Sequence, residues 1–243
     1  MDSLFLAPAD APPAMLLTPE ELSALLLSAK VSAWATLLSC PFAVAVGWLL
    51  ARKDFPGKAI LDALFHMPLV LPPPVPGYLL LMGFGRQGPL GSWLEHWGIV
   101  FAFNWKGAAL AAAVMSFPLM LGPVRLSFQL IGPQLENAAR TLGAGPWSVF
   151  FTVTLPLALP GILSGTLLAF SRSLGEFGAT ITFVGNVEGE TRTLPLAIYT
   201  AKNLPDGDEV AFRLIVLSLV LAFGALLAND WLARRIERRL GMR

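Results

Sequence analysis

The chain has 243 residues, of which 55% are hydrophobic and only 14% are charged, and its formal net charge is +1. Soluble domains carry about 25% charged residues, so the composition excludes a freely soluble protein, and it is also too apolar for a disordered chain. The balance of 17 basic and 16 acidic residues gives no reason to expect nucleic acid. One cysteine and two histidines leave little for a disulfide framework or a metal site. The sequence therefore predicts a protein embedded in the lipid bilayer.

Five apolar stretches are candidates to cross a bilayer, which requires a helix of about 20 residues. In chain order they are 31–51, 63–85, 107–124, 160–185 and 214–229, of which the last reaches about 20 residues only with 210–213. Thr18, followed by proline and two glutamates, is typical of a helix start. A helix from residue 19 either extends the first stretch or counts as a sixth element. The predicted fold class is an all-α membrane bundle of five to six transmembrane helices, forming one domain over 1–243.

The distribution of lysine and arginine predicts the orientation, because these residues favour the cytoplasmic side of a membrane. They are concentrated in 52–58, in the loop after the third stretch and in the C-terminal segment 233–243. With five crossings, the N-terminus then lies outside and the C-terminus inside. We expect 1–18 to be a periplasmic tail, 132–156 a cytoplasmic loop and 233–243 a basic cytoplasmic tail. Residues 1–14 lack the basic start of a signal peptide.

The loop 132–156 contains a short amphipathic pattern. Apolar residues at i, i+3, i+4 and i+7 are Leu135, Ala138, Ala139 and Leu142. This spacing predicts a helix that starts at Pro133 and ends at Gly143. A second short helix is expected over 147–155, stopping before Pro156. The two helices form a compact knob that either docks in a groove on a partner or rests its apolar face on its own bundle.

The same loop resembles the EAA motif of ABC importer permeases, which reads E-A-A, three residues, G, nine residues, I, any residue, L-P. The residues at the motif's spacing are Asn137, Ala138, Ala139, Gly143, Val153, Leu155 and Pro156. Val153 is a slight change from isoleucine. Asn137 removes a charge that in the family faces a basic group of the ATPase. The sequence leaves open whether Glu136, one position earlier, supplies that charge instead.

The likeness extends over nearly the whole chain, which resembles the molybdate permeases of oxyanion ABC importers. The other matching stretches are 61–78, 101–119, 171–184 and 189–195. The resemblance implies a type I importer permease in the cell inner membrane: a homodimer with one pathway at its two-fold axis, two ATP-binding subunits and a periplasmic molybdate-binding protein. It also implies that the ATPase contacts Glu136, Asn137, Ala138, Ala139, Arg140, Leu142 and Gly143.

The sequence contains no Walker A motif, because Gly57-Lys58 lacks the glycine spacing and the following Ser or Thr. By the resemblance, ATP and Mg²⁺ bind to the separate ATPase, and this chain binds no cofactor and is not itself an enzyme. Within the family, sulfate, thiosulfate or tungstate is the alternative substrate. From other classes, the alternatives are a self-sufficient channel or ion-driven carrier and a membrane enzyme.

Two sets of residues are candidates for the pathway or its gate. Pro72, Pro73 and Pro74 break the helical hydrogen bonding of the second stretch, and such backbone in a membrane lines a cavity or is buried in protein. A kink required by packing is the other interpretation. Because a dianion must be released, we expect weakly binding hydroxyl residues along the pathway, with packing between helices as the alternative for each. They are Ser164, Thr166, Ser171, Ser173, Thr180 and Thr182.

Arg172 and Glu176 are ionisable residues within the fourth stretch, four residues apart and therefore on one face of a helix. Either Arg172 lines the pathway and favours anions, or the two form a structural pair beside a break at Gly175 and Gly178. We favour the structural pair. Nearer the cytoplasmic end, Asp62 is expected to pair with Lys58, one helical turn earlier.

Overall fold

The computed structural model describes residues 17–239, and this part of the chain is helical and contains no strand. Its helices are α1 Pro19–Arg52, α2 Lys58–Val70, α3 Pro74–Phe84, α4 Pro89–Glu95, α5 Trp105–Leu130, α6 Pro133–Thr141, α7 Pro146–Val149, α8 Leu155–Leu174, α9 Gly178–Val184, α10 Leu194–Lys202 and α11 Asp208–Arg239. A π-helical turn, Phe150–Thr154, joins α7 to α8. The predicted all-α class is confirmed.

Within residues 17–239, four helical segments are long and apolar enough to cross a membrane: α1, α5, the continuous segment Pro146–Leu174 and residues Asp208–Ala228 of α11. Helices α2 and α3 pass the same test only together, and their axes differ by 116°. With this broken pair as one span there are five, the number of apolar stretches in the sequence. Residues 19–30 are part of α1 and not a separate sixth element.

The predicted start of α1 is confirmed in detail. Thr18 Oγ1 accepts a hydrogen bond from the Glu21 amide (3.2 Å), while the Thr18 amide donates to Glu21 Oε2 (2.9 Å). This reciprocal arrangement satisfies amides that the first turn leaves without partners. The helix then runs for 34 residues to Arg52, about 51 Å at 1.5 Å per residue. It therefore exceeds the thickness of a bilayer core of about 30 Å.

Helix α5 lies at the centre of the bundle and packs against α1 and α8. Its first half presents small buried residues, namely Ala108, Ala109, Ala111 and Ala112. Small side chains let membrane helices approach closely. The second half of α5 contributes the larger Leu121 and Phe128, which are packed against Leu50 of α1. A third cluster joins α10 to α1 and α11.

The sequence predicts that the second short helix of the loop stops before Pro156, and this is wrong. The helix runs from Pro146 through Pro156 and Pro160 to Leu174. The Leu155 amide donates to the Phe150 carbonyl five residues back, so a wider π turn immediately precedes Pro156. A proline ring clashes with the carbonyl four residues earlier in a regular α-helix. The wider turn displaces that carbonyl, and the helix continues.

The fourth apolar stretch, 160–185, is interrupted where its two charges and its glycines occur. Helix α8 ends at Leu174, and α9 starts at Gly178 after a short irregular segment. The predicted break at Gly175 is therefore confirmed. The single span expected from hydropathy is instead one long helix followed by a seven-residue helix.

Candidate coupling segment and translocation path

The short helix expected in the loop forms as α6. Pro133 occupies its first turn, and the helix ends in a glycine turn at Gly143, whose φ of +87° lies in the left-handed region that glycine tolerates best. The Gly143 amide donates to the Arg140 carbonyl (3.0 Å), and the Ala144 amide donates to the Ala139 carbonyl (3.1 Å). These bonds fix where the chain turns from α6 into α7.

The apolar side chains around α6 face outward from the protein. No residue of α6 is buried. Leu142 is 89% exposed, Leu135 54% and Trp147 of α7 76%, and Trp147 stacks on Phe151 with ring centroids 6.3 Å apart. The interpretation that the apolar face rests on its own bundle is therefore wrong. Exposed apolar surface of this kind marks interaction sites, and we name these four side chains the docking face.

Glu136, in contrast, is turned toward the bundle. Its Oε1 accepts hydrogen bonds from Arg52 Nη2 and Thr154 Oγ1, each at 2.8 Å, and its side chain is only 13% exposed. Arg52 ends α1, and Thr154 belongs to the π turn. Glu136 therefore connects α6 to two other elements, and we call Arg52, Glu136 and Thr154 the Glu136 anchor. Asn137, the next residue, is exposed.

The other predicted contact residues divide by exposure. Ala138, Arg140, Leu142 and Gly143 are exposed, whereas Ala139 is half-buried. Arg140 Nη2 lies 3.9 Å from Glu136 Oε2, a looser contact than that of Arg52. The residues available to a partner are thus Asn137 and its exposed neighbours, while the carboxylate beside them is engaged within the protein.

The predicted ion pair between Asp62 and Lys58 is wrong. Arg125 Nη1 of α5 lies 2.7 Å from Asp62 Oδ2, and Lys58 instead donates to Asp54 Oδ1 at 2.9 Å. Asp62 lies on the face of α2 that meets α5, whereas Lys58, at the start of the helix, reaches back to the preceding loop. The hydrogen bond from Lys58, together with its charge, lowers the pKa of the Asp54 carboxyl.

The three prolines lie at the break between α2 and α3. Pro72, Pro73 and Pro74 are exposed on the protomer, and the 116° bend makes this a break in the span and not a slight kink. Gly178, at the start of α9, lies so close that a Cβ there would be 2.5 Å from Pro73 Cβ. The irregular backbone thus lies directly beside α9, and its place in the pathway stays a prediction.

Helices α3 and α9 pack backbone to backbone. A Cβ at Gly77 would lie 2.5 Å from the Ala179 carbonyl oxygen and 2.8 Å from Ala179 Cα, distances that real contacts do not reach. Only glycine allows this separation. The two short helices therefore form one closely packed unit against the first half of α5, which we call the half-helix pair.

Arg172 and Glu176 form the expected pair. Arg172 Nη1 lies 2.8 Å from Glu176 Oε2, and Glu176 Oε1 accepts a hydrogen bond from the Ala179 amide at 2.9 Å. The Glu176 side chain is 2% exposed and that of Arg172 is 30% exposed. Glu176 thus neutralises the arginine and also satisfies an amide at the start of α9. These contacts are those of a structural pair that spans the break after α8.

The hydroxyl candidates occupy different environments. Ser173 and Thr180 are buried, with exposed fractions of 4% and 1%, which fits packing between helices in this conformation. Thr166 is half-buried and donates to the Leu163 carbonyl at 2.8 Å. Ser164 is exposed on α8. Which of them line a pathway stays a prediction.

Sequence reasoning missed Arg52 and Thr154, the two partners of Glu136 that hold the loop in place. Arg52 and Glu136 are 84 positions apart, and no local pattern relates a helix-ending arginine to a glutamate so distant. Thr154 lies inside the stretch that resembles the EAA motif, in a position where the motif accepts any residue. Its hydroxyl becomes relevant only because the π turn directs it toward Glu136.

A bundle of apolar helices with one broken span and an exposed short helix fits the membrane-spanning component of a transport system. Residues 43–238 match the family described as binding-protein-dependent transport system inner membrane component. The chain belongs to this family, and the resemblance inferred from the EAA-like motif is confirmed.

Individual relatives are similar over most of their length. The chain is 59% identical over 228 residues to the molybdenum transport system permease protein of Escherichia coli (strain K12), covering 93% of this chain and 100% of that protein. The corresponding permease of Haemophilus influenzae is 51% identical over 91% of this chain and 97% of its own length. The sulfate transport system permease protein CysT of E. coli (strain K12) is 36% identical, over 87% and 76%.

The fold is also similar to solved ABC importers. A chain from a bacterial ABC transporter involved in the import of the acidic polysaccharide alginate superposes with a TM-score of 0.72 at 16% identity, covering 90% of this chain and 81% of that chain. At this identity the likeness concerns the fold alone. The protein thus has the fold of an ABC importer permease.

Proposed function

We propose that this chain is the membrane-spanning subunit of an ATP-driven molybdate importer of the cell inner membrane. The observation that carries the substrate is the 59% identity to the E. coli molybdenum permease over the complete length of that protein. Sulfate is the second candidate, supported by the lower identity of 36% to the sulfate permease. Tungstate and thiosulfate, which are likewise tetrahedral dianions, remain substrates to test by competition.

The docking face would bind a separate ATP-binding subunit. Leu135, Leu142 and Trp147 are apolar and exposed at one end of the bundle, where a groove on a partner could cover them. ATP and Mg²⁺ would then bind on that partner, and two copies would serve a homodimer. A self-sufficient channel would have no use for such a face.

The Glu136 anchor would transmit movement from the docking face to the bundle. Because α6 has no buried residues, its polar contacts to Arg52 and Thr154 are a main attachment to the rest of the protein. When the ATPase subunits close, a displaced α6 would pull on the end of α1 and on the π turn that leads into α8. Rocking of the two permease subunits would then alternate the opening between the two sides.

The pathway would lie between two copies of the chain. Helix α2 has no buried residue within one protomer, and the prolines at its end are exposed, which fits a surface that a second copy covers. A periplasmic binding protein would deliver the anion on the side opposite the docking face. The N-terminus would lie outside and the C-terminus in the cytoplasm, in agreement with the basic residues Arg52, Lys53, Lys58, Arg125 and Arg140 at the docking-face end.

The experiment is reconstitution of the permease with its ATPase and binding protein in liposomes. We expect the ATPase to co-purify with the permease, and ATP hydrolysis to rise several-fold when the loaded binding protein and molybdate are added. Accumulation of molybdate without the ATPase would contradict the proposal in favour of a channel or an ion-driven carrier. Stimulation by sulfate but not molybdate would replace the proposed substrate while leaving the coupling intact.

A further inference from the structure

An apolar groove of about 640 Å³ lies on the surface between α1, α2 and α5. Its walls include Trp34, Leu38, Phe42, Leu64, Trp105 and Phe117. Trp34, Leu38, Phe42 and Leu64 are between 43% and 62% exposed, so the groove is open along its length. The proposed transport mechanism assigns no role to the α1 and α5 walls of this groove.

One end of the groove is cationic. Lys106, at the start of α5, lines it, and Lys30 of α1 places its Nζ 3.8 Å from the centroid of the Trp105 ring. Both lysines are exposed, and neither forms an ion pair with any residue of the part of the chain that the structure describes. No acidic residue lines the groove. Two positive charges therefore lie close to one mouth without a counter-charge among residues 17–239.

The length of the groove matches one leaflet of a bilayer. It extends along α5 from Lys106 to Phe117, eleven residues, or about 17 Å at 1.5 Å per residue. The hydrocarbon core is about 30 Å thick, so the groove reaches from its edge to about its middle. Trp34 and Trp105, with ring centroids 6.4 Å apart, lie at the lysine end. Tryptophans are enriched where headgroups meet acyl chains.

We propose that this groove binds an anionic phospholipid, with an acyl chain along the apolar walls and the phosphate beside Lys30 and Lys106. The walls provide the apolar surface that any acyl chain covers. The lysines provide the preference for a negative headgroup, because basic side chains at the membrane surface attract anionic lipids. The two lysines favour the lipid over a second copy of this chain as the occupant, because its phosphate carries the negative charge that neither lysine finds among the described residues.

The test uses the full-length permease in detergent micelles, to which phosphatidylglycerol or phosphatidylcholine with brominated acyl chains is added. Bromine quenches tryptophan fluorescence on contact, and replacing Trp34 or Trp105 by Phe assigns the signal to the groove. We expect phosphatidylglycerol to quench at a several-fold lower mole fraction than phosphatidylcholine. The variant with both Lys30→Gln and Lys106→Gln should lose this difference while retaining quenching by both lipids.

The control is Lys202→Gln, which removes a lysine that is 71% exposed and lies outside the groove; it should retain the preference for phosphatidylglycerol. Equal quenching by the two lipids in the unmodified protein would overturn the proposal, as would a preference that persists without both lysines. Cross-linking of two copies through Leu38→Cys, together with no quenching of Trp34 or Trp105 by brominated lipid, would identify a second copy as the occupant. Each outcome is independent of transport activity.

Discussion

The docking face and the half-helix pair are both built from short helices, but these helices are attached to the rest of the protein by different interactions. Helix α6 has no buried residue and is attached through the charge and hydrogen bonds of Glu136. Helices α3 and α9 are attached through glycines that bring backbone against backbone. The attachment of α6 should therefore be weakened by changes of charge, and that of α3 and α9 by changes of side-chain volume.

Replacing Arg172 by methionine is expected to have the largest effect on stability near the half-helix pair. It leaves the Glu176 carboxylate, which is 2% exposed, without its cation, and breaking a buried pair in this way costs about 3–5 kcal/mol. Thermal unfolding of the purified permease measures the loss. Because we interpret the pair as structural, the apparent affinity for molybdate in vesicles should remain unchanged for the protein that folds.

The double variant Arg172→Met with Glu176→Gln is the matched control. The glutamine can still accept the hydrogen bond from the Ala179 amide, and no buried charge remains, so most of the stability should return. An increase of several-fold in the molybdate concentration for half-maximal uptake, in both variants, would show instead that Arg172 attracts the anion.

Volume is the property to change in the half-helix pair itself. Gly77→Ala places a methyl group against the Ala179 backbone, and overpacking of this kind costs about 1–3 kcal/mol. Gly83→Ala, on the same helix, has no atom within 4 Å of the added Cβ, and it should be neutral or slightly stabilising because alanine favours a helix. Equal unfolding temperatures of the two variants would contradict the close approach of α3 and α9.

Charge is the property to change at the Glu136 anchor. Glu136→Gln removes the ionic part of the contact with Arg52, and hydrogen bonds to charged groups contribute about 1.5–3 kcal/mol. This corresponds to at least a roughly tenfold weaker attachment of α6, so we expect ATP hydrolysis to persist while uptake per ATP falls several-fold. The ratio of transported molybdate to hydrolysed ATP in proteoliposomes measures this uncoupling.

Arg140→Gln is the control for the ratio, because Arg140 is 57% exposed and lies 3.9 Å from the same carboxylate. Loss of an expected contact with the ATPase would lower uptake and ATP hydrolysis together, so the ratio should change little. Exchange of the charges, Arg52→Glu with Glu136→Arg, should restore part of the coupling. If Glu136→Gln transports molybdate with an unchanged ratio, the anchor does not transmit the movement.

The sequence predicts most of what depends on local pattern. The apolar stretches, the start of α1 at Thr18, the helix after Pro133 and the interruption near Gly175 all follow from composition and from residues within one or two turns. The pairing of Arg172 with Glu176 belongs to the same class, since four residues of helical spacing determine which side chains meet.

What depends on distant contacts could not be predicted. Asp62 has a neighbour of opposite charge one turn away, yet it pairs with Arg125, 63 positions later, because α2 turns that face toward α5. The helix likewise continues through Pro156, because a π turn relieves a clash that is unavoidable in a regular helix. The Glu136 side chain points inward, whereas its neighbour Asn137 is exposed, because Arg52 and Thr154 both donate hydrogen bonds to its carboxylate.

The most direct test of the central claim concerns the two exposed leucines of the docking face. Leu135→Asp combined with Leu142→Asp makes the surface polar, and both replaced side chains are exposed. The variant should therefore fold and insert like the unmodified permease. The measurement is ATP-driven molybdate uptake by proteoliposomes that contain the permease, the ATPase and the binding protein. The account predicts that the ATPase no longer co-purifies and that uptake falls to background, whereas uptake at the unmodified rate would contradict it.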